Sequence, residues 1–273
     1  RPYITENRMG PLPKTVNDVF TIGDVVRVQK TNGTWQLAQI PKAQAALVSL
    51  EPESGAIKAL VGGFNFSRSN FNRATQAKRQ PGSNFKPFLY AAALENGFTA
   101  ASIINDAPVV FEDSGLESTW RPENSSGKFY GPTTLRRALY LSRNLVSIRL
   151  LRSLGVEKVI NYAEQFGFDG NELPRNLSLA LGTQASTPMQ VVTAYASLAN
   201  GGFKVSPYLI SQIETIDGEV LFEANPAIAC RNCNQPNPLA DEILDELLAD
   251  EEPSDLLAIE LPAETIAQAI NVA

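Results

Sequence analysis

Apolar and polar residues alternate from Asp24 to Lys30, and again from Thr34 to Ile40, with Asn32-Gly33 between the two runs. A period of two predicts half-buried strands, and Asn-Gly is a favoured two-residue hairpin turn. The pattern therefore predicts a small β-rich region over residues 1–42. Ala45–Leu50 is apolar enough for a central strand, and Ala56–Leu60 is its predicted partner across the Glu53-Ser54-Gly55 turn. Residues 67–76 are polar and predict a loop. Phe88 to Leu94 is almost wholly apolar, with Pro81-Gly82 ahead of it and Asn96-Gly97 behind, which predicts a buried helix between a turn and a cap. Residues 98–131 carry little periodicity. Residues 132–166 are predicted helical, opened by Pro132-Thr133-Thr134 and interrupted by the polar triplet Ser142-Arg143-Asn144. Ser186-Thr187-Pro188 predicts the start of a further helix with Pro at its first position, closed by Asn200-Gly201-Gly202. Leu209–Phe222 predicts a hairpin with Asp217-Gly218 at its tip. From residue 223 the character changes. Asp241–Asp255 is acidic with Ile243, Leu244, Leu247 and Leu248 on one face, which predicts a peripheral amphipathic helix or a mostly solvated insert.

Composition narrows the chemistry. The chain has 273 residues, 44% hydrophobic, and no histidine. Ser-His-Asp and Cys-His catalysis are thereby excluded, together with the commonest metal ligand. A nucleophilic enzyme built from this chain must use a lysine or a carboxylate as base. The net charge of −6 argues against nucleic acid as a partner. No apolar run approaches membrane-spanning length. The opening RPYITENRMG reads as the interior of a longer protein, so a membrane anchor is expected upstream.

One serine–lysine pair stands in a helical context. Ser83 and Lys86 are three residues apart at the start of the predicted buried helix, so they share a face and can meet. Burial favours the neutral amine, the form that can take a proton from a serine. Taken alone, Ser83 reads as an ordinary helix cap beside a solvated lysine. A second Ser-x-x-Lys, Ser125 and Lys128, lies in a loop flanked by Gly and Pro with no helical run behind it. Ser142-Arg143-Asn144 is the only Ser-x-Asn in the chain, and such an element downstream of Ser-x-x-Lys belongs to the penicillin-binding and β-lactamase signature. Trp120, with Asn124 close by, stands in a polar loop and is either part of a binding wall or a ring closing the loop against the core.

The segments RQPGSNFKPFLYAAALE, ALYLSRNLVSIRLL and LSLALGTQASTPMQVVTAYASLANGG resemble the transpeptidase domain of class A penicillin-binding proteins of Gram-negative bacteria, from about Ala46 onward. The resemblance implies an α/β fold of the α+β type, the DD-peptidase (penicilloyl-serine transferase) fold, in which an antiparallel sheet is flanked by helices. The hairpin of residues 45–60 would begin that sheet, with the nucleophile helix packed behind it. It further implies that residues 1–42 are the closing part of an oligonucleotide-binding-like (OB-like) β module, that residues 43–222 are the first portion of the transpeptidase core, and that residues 223–273 are an insert. Ser83 would be the nucleophile and Lys86 its base. Asn144 would hold Lys86 and the substrate backbone, and Ser142 would relay a proton to the leaving amine. Trp120 and Asn124 would line the substrate cleft; Gly182-Thr183-Gln184, apart from the resemblance, is read as scaffold. The implied partners are peptidoglycan stem peptides and β-lactam antibiotics, without a cofactor, on the periplasmic side of the inner membrane. In that oxidising compartment Cys230 and Cys233 are expected to form a local disulfide.

Two departures accompany the resemblance. The family's third element, Lys-Thr-Gly on an edge strand, does not occur in the 273 residues, and the expectation is that a missing C-terminal segment or a second fragment carries it. Lys30-Thr31-Asn32-Gly33 has an extra residue and precedes the nucleophile, so it is read as a turn. The glycosyltransferase domain of class A proteins is also absent. Three alternatives stay open: a β-lactamase, for which Glu172 in ELPRN echoes a deacylating loop; a β-lactam sensor; and a catalytically incomplete scaffold.

Overall fold

The computed structural model of the chain describes residues 3–5, 8–41, 43–109 and 120–230. It divides into two units, Arg1–Gln44 and Ala45–Ala273. In the first unit β1 (Tyr3–Thr5) pairs antiparallel with β2 (Arg8–Met9). β3 (Val28–Thr31) pairs antiparallel with β4 (Thr34–Leu37). Asn32 and Gly33 both take positive φ, 50° and 81°, as the mirror-image hairpin turn requires. The predicted first strand is shorter than its alternation suggested, and the prediction of half-burial fails. All eight residues of the hairpin are exposed, and Ile22 and Val25 are 100% exposed. The physical reason is that a two-stranded ribbon has no second layer of its own to bury a face against.

The second unit begins with β5 (Leu47–Leu50) paired antiparallel to β6 (Ile57–Val61). A 3₁₀ turn, Gly82–Phe85, leads into α1 (Lys86–Glu95). β7 (Ile103–Asp106) pairs antiparallel with β8 (Gly131–Thr134), and α2 (Leu135–Tyr140), α3 (Asn144–Leu154) and α4 (Val156–Gln165) follow in quick succession. After a second 3₁₀ segment, Leu177–Leu181, come α5 (Pro188–Ala199) and the hairpin of β9 (Gln212–Glu214) with β10 (Val220–Glu223).

Helix α1 is the centre of this unit. Phe88, Leu89, Tyr90, Ala92 and Ala93 are all buried, and α2, α3 and α4 pack around it. That is why its sequence shows a continuous apolar run and no amphipathic stripe. The helix packed on β5 is α5, not the nucleophile helix as expected. Tyr195 of α5 then reaches Phe88 of α1, ring centroids 5.4 Å apart and edge to face. Residues 132–134 are strand where helix was predicted. Thr134 marks the change, with extended backbone and its Oγ accepting from the Arg137 N–H, so the β-branched pair belongs to the ladder and the cap, not to the helix. At the start of α5 the reading holds. Thr187 and Gln190 form a reciprocal capping box with Pro188 at the first position.

Candidate active site

The turn that presents Ser83 is fastened on both sides. Residues 79–82 run beside residues 182–186: the Arg79 N–H donates to the Ser186 carbonyl (2.9 Å), the Ser186 N–H to the Arg79 carbonyl (3.0 Å), and the Gly82 N–H to the Gly182 carbonyl (3.0 Å). On the next residue, Tyr195 Oη donates to the Asn84 carbonyl at 2.9 Å. Phe85 and Phe88 anchor the turn from below, in edge-to-face contact with Phe168 at 5.4 and 5.1 Å. Ser83 itself is exposed, while Phe85, two residues on, is wholly buried.

Lys86, one turn later, is only 1% exposed. Its Nζ donates to the Ser142 carbonyl (2.8 Å), lies 2.9 Å from Ser142 Oγ, and donates to Asn144 Oδ1 (2.7 Å). The sequence predicted a meeting of Ser83 and Lys86. Among the described residues the amine is instead held by the Ser-x-Asn element, and its link to Ser83 runs through the backbone, where the Lys86 N–H donates to the Ser83 carbonyl. Burial lowers the Lys86 pKa from 10.5 to about 8. At half a pH unit below that value roughly a quarter of the molecules carry the neutral amine, against roughly one in a thousand for an unshifted lysine.

The turn that supplies Ser142 is a helix cap with an unusual residue. The Arg143 N–H donates to the Ala138 carbonyl (2.8 Å) and the Ser142 N–H to the Leu139 carbonyl (2.9 Å), which is the Schellman pattern at the end of α2. The residue at its left-handed position is usually glycine; here it is Ser142, with φ +53°. An L-residue in that conformation costs about 1–2 kcal/mol. In return the turn points both the carbonyl and the hydroxyl of one residue at Lys86. Beneath it, Ser147 Oγ donates to the Arg143 carbonyl (2.8 Å) and lies 3.1 Å from Tyr90 Oη. Burial pushes the Tyr90 phenol up to about 12, so it stays protonated.

An exposed serine on a braced turn, a buried lysine and a Ser-x-Asn cap are what serine acyl transfer without histidine would call for. Residues 45–237 match the penicillin binding protein transpeptidase domain, and residues 1–43 match the penicillin-binding protein OB-like domain. The chain belongs to the penicillin-binding protein transpeptidase family. It is 58% identical to penicillin-binding protein 1A of Pseudomonas aeruginosa over 227 residues, which cover 83% of this chain and 28% of that protein. The crystal structure of penicillin-binding protein 1A from Haemophilus influenzae superposes with a TM-score of 0.72 at 43% identity, over 77% of this chain and 32% of the other. The PonA1 protein of Mycobacterium tuberculosis in complex with penicillin V gives a TM-score of 0.58 at 28% identity, over 67% of this chain and 51% of that one. The chain thus spans under a third of the length of the Pseudomonas relative.

Other residues singled out in this transpeptidase-family chain fall into different places. Trp120 is half-buried and packs against the helical core. Asn124, expected on the cleft wall, is buried at 5% exposure, and its amide bonds to Asp106, to Lys128 and to the first turn of α3. An extended run of polar loop residues gave no hint of that inward turn. Ser125 and Lys128 are both exposed in their loop. Glu172 forms an ion pair with Lys78. Gly182, read as scaffold, touches the turn that carries Ser83: a Cβ there would lie 1.9 Å from the Gly82 carbonyl oxygen. Cys233, and with it the predicted pairing with Cys230, lies outside the described residues, as does the acidic stretch of residues 241–255. Among the described residues no group of three or more acidic, Cys or His side chains is placed to hold a metal, and no helix is long and apolar enough to cross a membrane.

Proposed function

We propose that this domain is a serine-type DD-transpeptidase that cross-links peptidoglycan stem peptides through an acyl-enzyme on Ser83, and that β-lactams acylate the same hydroxyl. The observation that carries the reading is the buried Lys86 amine, held by Ser142 and Asn144 one turn behind an exposed serine. Ser83 Oγ attacks the carbonyl between the two terminal D-alanines as its proton passes to the neutral Lys86 amine. The peptide C–N bond breaks, and the leaving D-alanine amine takes a proton handed on through Ser142 Oγ, 2.9 Å from Nζ. The amine of a second stem peptide then attacks the ester carbonyl, gives up its proton along the same groups and releases Ser83. The Ser83 N–H, among the unpaired donors of a helical first turn, supports the oxyanion.

The complete site calls for the Lys-Thr-Gly strand, which we place in a C-terminal segment of the parent protein or in a second fragment. The β5–β6 hairpin supports this, because it is a two-stranded ribbon with Leu47 and Val61 about half exposed. We place the domain on the periplasmic side of the bacterial inner membrane.

Labelled penicillin and peptide mass mapping test the reading, on the chain alone and within its parent protein. One adduct is expected, on Ser83, and it should persist over many minutes. An adduct on Ser125, or none in either form, would sink the assignment; an adduct shed within seconds would mark a β-lactamase. The rate should also report the lysine. Because the reactive form is the neutral amine, acylation should rise with pH through a midpoint near 8, where Lys86 loses its proton, and level off above it. A flat profile between pH 6 and 10 would exclude Lys86 as the base.

A further inference from the structure

Among the described residues the mechanism leaves a wholly buried carboxylate without a role. Asp106, at the end of β7, is 0% exposed. Asn124 Nδ2 donates to both of its oxygens, at 2.8 and 3.0 Å, and to the Lys128 carbonyl at 2.9 Å. Arg143 has its Nε 3.9 Å from Oδ2, beyond hydrogen-bond range, and its guanidinium lies over the Tyr130 ring, 3.3 Å from the centroid. A buried carboxylate whose ion-pair partner stands off at 3.9 Å is costly to desolvate, so what it holds in place matters.

We infer that Asp106 is a positioning residue for acyl transfer: its carboxylate fixes the orientation of the Asn124 amide, which braces the start of α3 and thereby places Asn144 against Lys86. The inference rests on the transpeptidase reading of the site. With acceptors on one side only, the Asn124 amide has a single sensible orientation, because reversing it would set Oδ1 against the carboxylate and the Lys128 carbonyl. Its Oδ1 therefore faces the Asn144 and Leu145 N–H groups, at 2.9 and 3.4 Å. The helix needs this help. Arg143 at its N-cap makes no side-chain cap bond, and first-turn N–H groups have no partner within a helix. The neighbouring Glu123 carbonyl accepts from Asn144 Nδ2 at 2.9 Å, which leaves Oδ1 turned to Lys86 at 2.7 Å. Residues 123 and 124 thus grip both the backbone and the side chain of Asn144, and Asp106 holds residue 124. A catalytic group displaced by about 1 Å can lose about a hundredfold in rate.

Asp106→Asn is nearly isosteric but offers one acceptor fewer and lets the Asn124 amide turn over. Two readouts on the folded variant decide the question: penicillin acylation, split into pre-covalent binding and the acylation step, and amide hydrogen exchange at Asn144 and Leu145. The acylation step is expected to slow about ten- to a hundredfold with binding within about threefold, and the two amides should exchange at least about tenfold faster while those of α4 hold. In an Asn124→Ala background the same change should add almost nothing, since Asp106 acts through Asn124. Unchanged exchange, or faster exchange with unchanged acylation, overturns the proposal. A parent chain that takes no penicillin overturns the reading of the site and the catalytic consequence with it, and the exchange comparison then decides the brace by itself. Should Asp106→Asn fail to fold, Asp106→Ala with Arg143→Met removes the carboxylate and its counter-charge together and carries the same readouts.

Discussion

Lys86→Arg should slow acylation of Ser83 at least about a hundredfold, the scale of lost general-base catalysis, while the domain stays folded. Arginine brings donors enough for the Ser142 carbonyl, Ser142 Oγ and Asn144 Oδ1, which the lysine now engages at 2.7–2.9 Å. What it cannot bring is a neutral form, because its guanidinium stays charged throughout the accessible pH range. The substitution therefore separates two roles. If Lys86 only organises its neighbours, the variant keeps much of the rate. If it takes the serine proton, the rate collapses and the limb near pH 8 disappears with it. A loss under about threefold would reduce Lys86 to a positioning group. A limb that persisted in the arginine variant would assign the titration to some other residue.

The sequence carried the centre of this site more plainly than its supports. The helix that begins at Lys86 was legible because Pro81-Gly82 announces a turn and an apolar run follows from Phe88 to an Asn-Gly cap, and α1 is buried as that run predicts. Ser142-Arg143-Asn144 was legible as an interruption, but not as a Schellman cap, since a serine occupies the left-handed position where glycine is the usual sign. Asp106 gave no signal. Ile103-Ile104-Asn105-Asp106 is too short to show a period, and its carboxylate is buried by partners 18 and 37 residues away. Asn124 misled for a related reason: a polar residue in a polar loop reads as solvent-facing unless its buried partner is known. Contacts between distant loops decide such cases, and no local pattern encodes them.

Gly182→Ala is expected to have an effect of similar size to Lys86→Arg, by steric means, and a second glycine provides the control. Gly182 and Gly82 both lie in left-handed backbone, φ +68° and +59°, so either substitution costs about 1–2 kcal/mol of conformational strain. Their surroundings differ. A Cβ on Gly82 meets nothing within 4 Å, whereas one on Gly182 would stand 1.9 Å from the Gly82 oxygen and 2.7 Å from its carbonyl carbon. Those are backbone atoms of the turn that carries Ser83, fastened by the 3.0 Å bond between the two glycines, so they cannot swing aside as a side chain would. Relief requires the turn that carries Ser83 to move away from residue 182, and a shift of about 1 Å there is worth about a hundredfold in rate. Gly182→Ala should therefore lose at least about a hundredfold in penicillin acylation and melt several degrees lower, while Gly82→Ala should stay within about tenfold despite adjoining Ser83. Acylation time courses and thermal melts of the two variants side by side make the measurement. Equal, modest effects from both would mean that strain alone matters and that Ser83 is not held in place by residue 182.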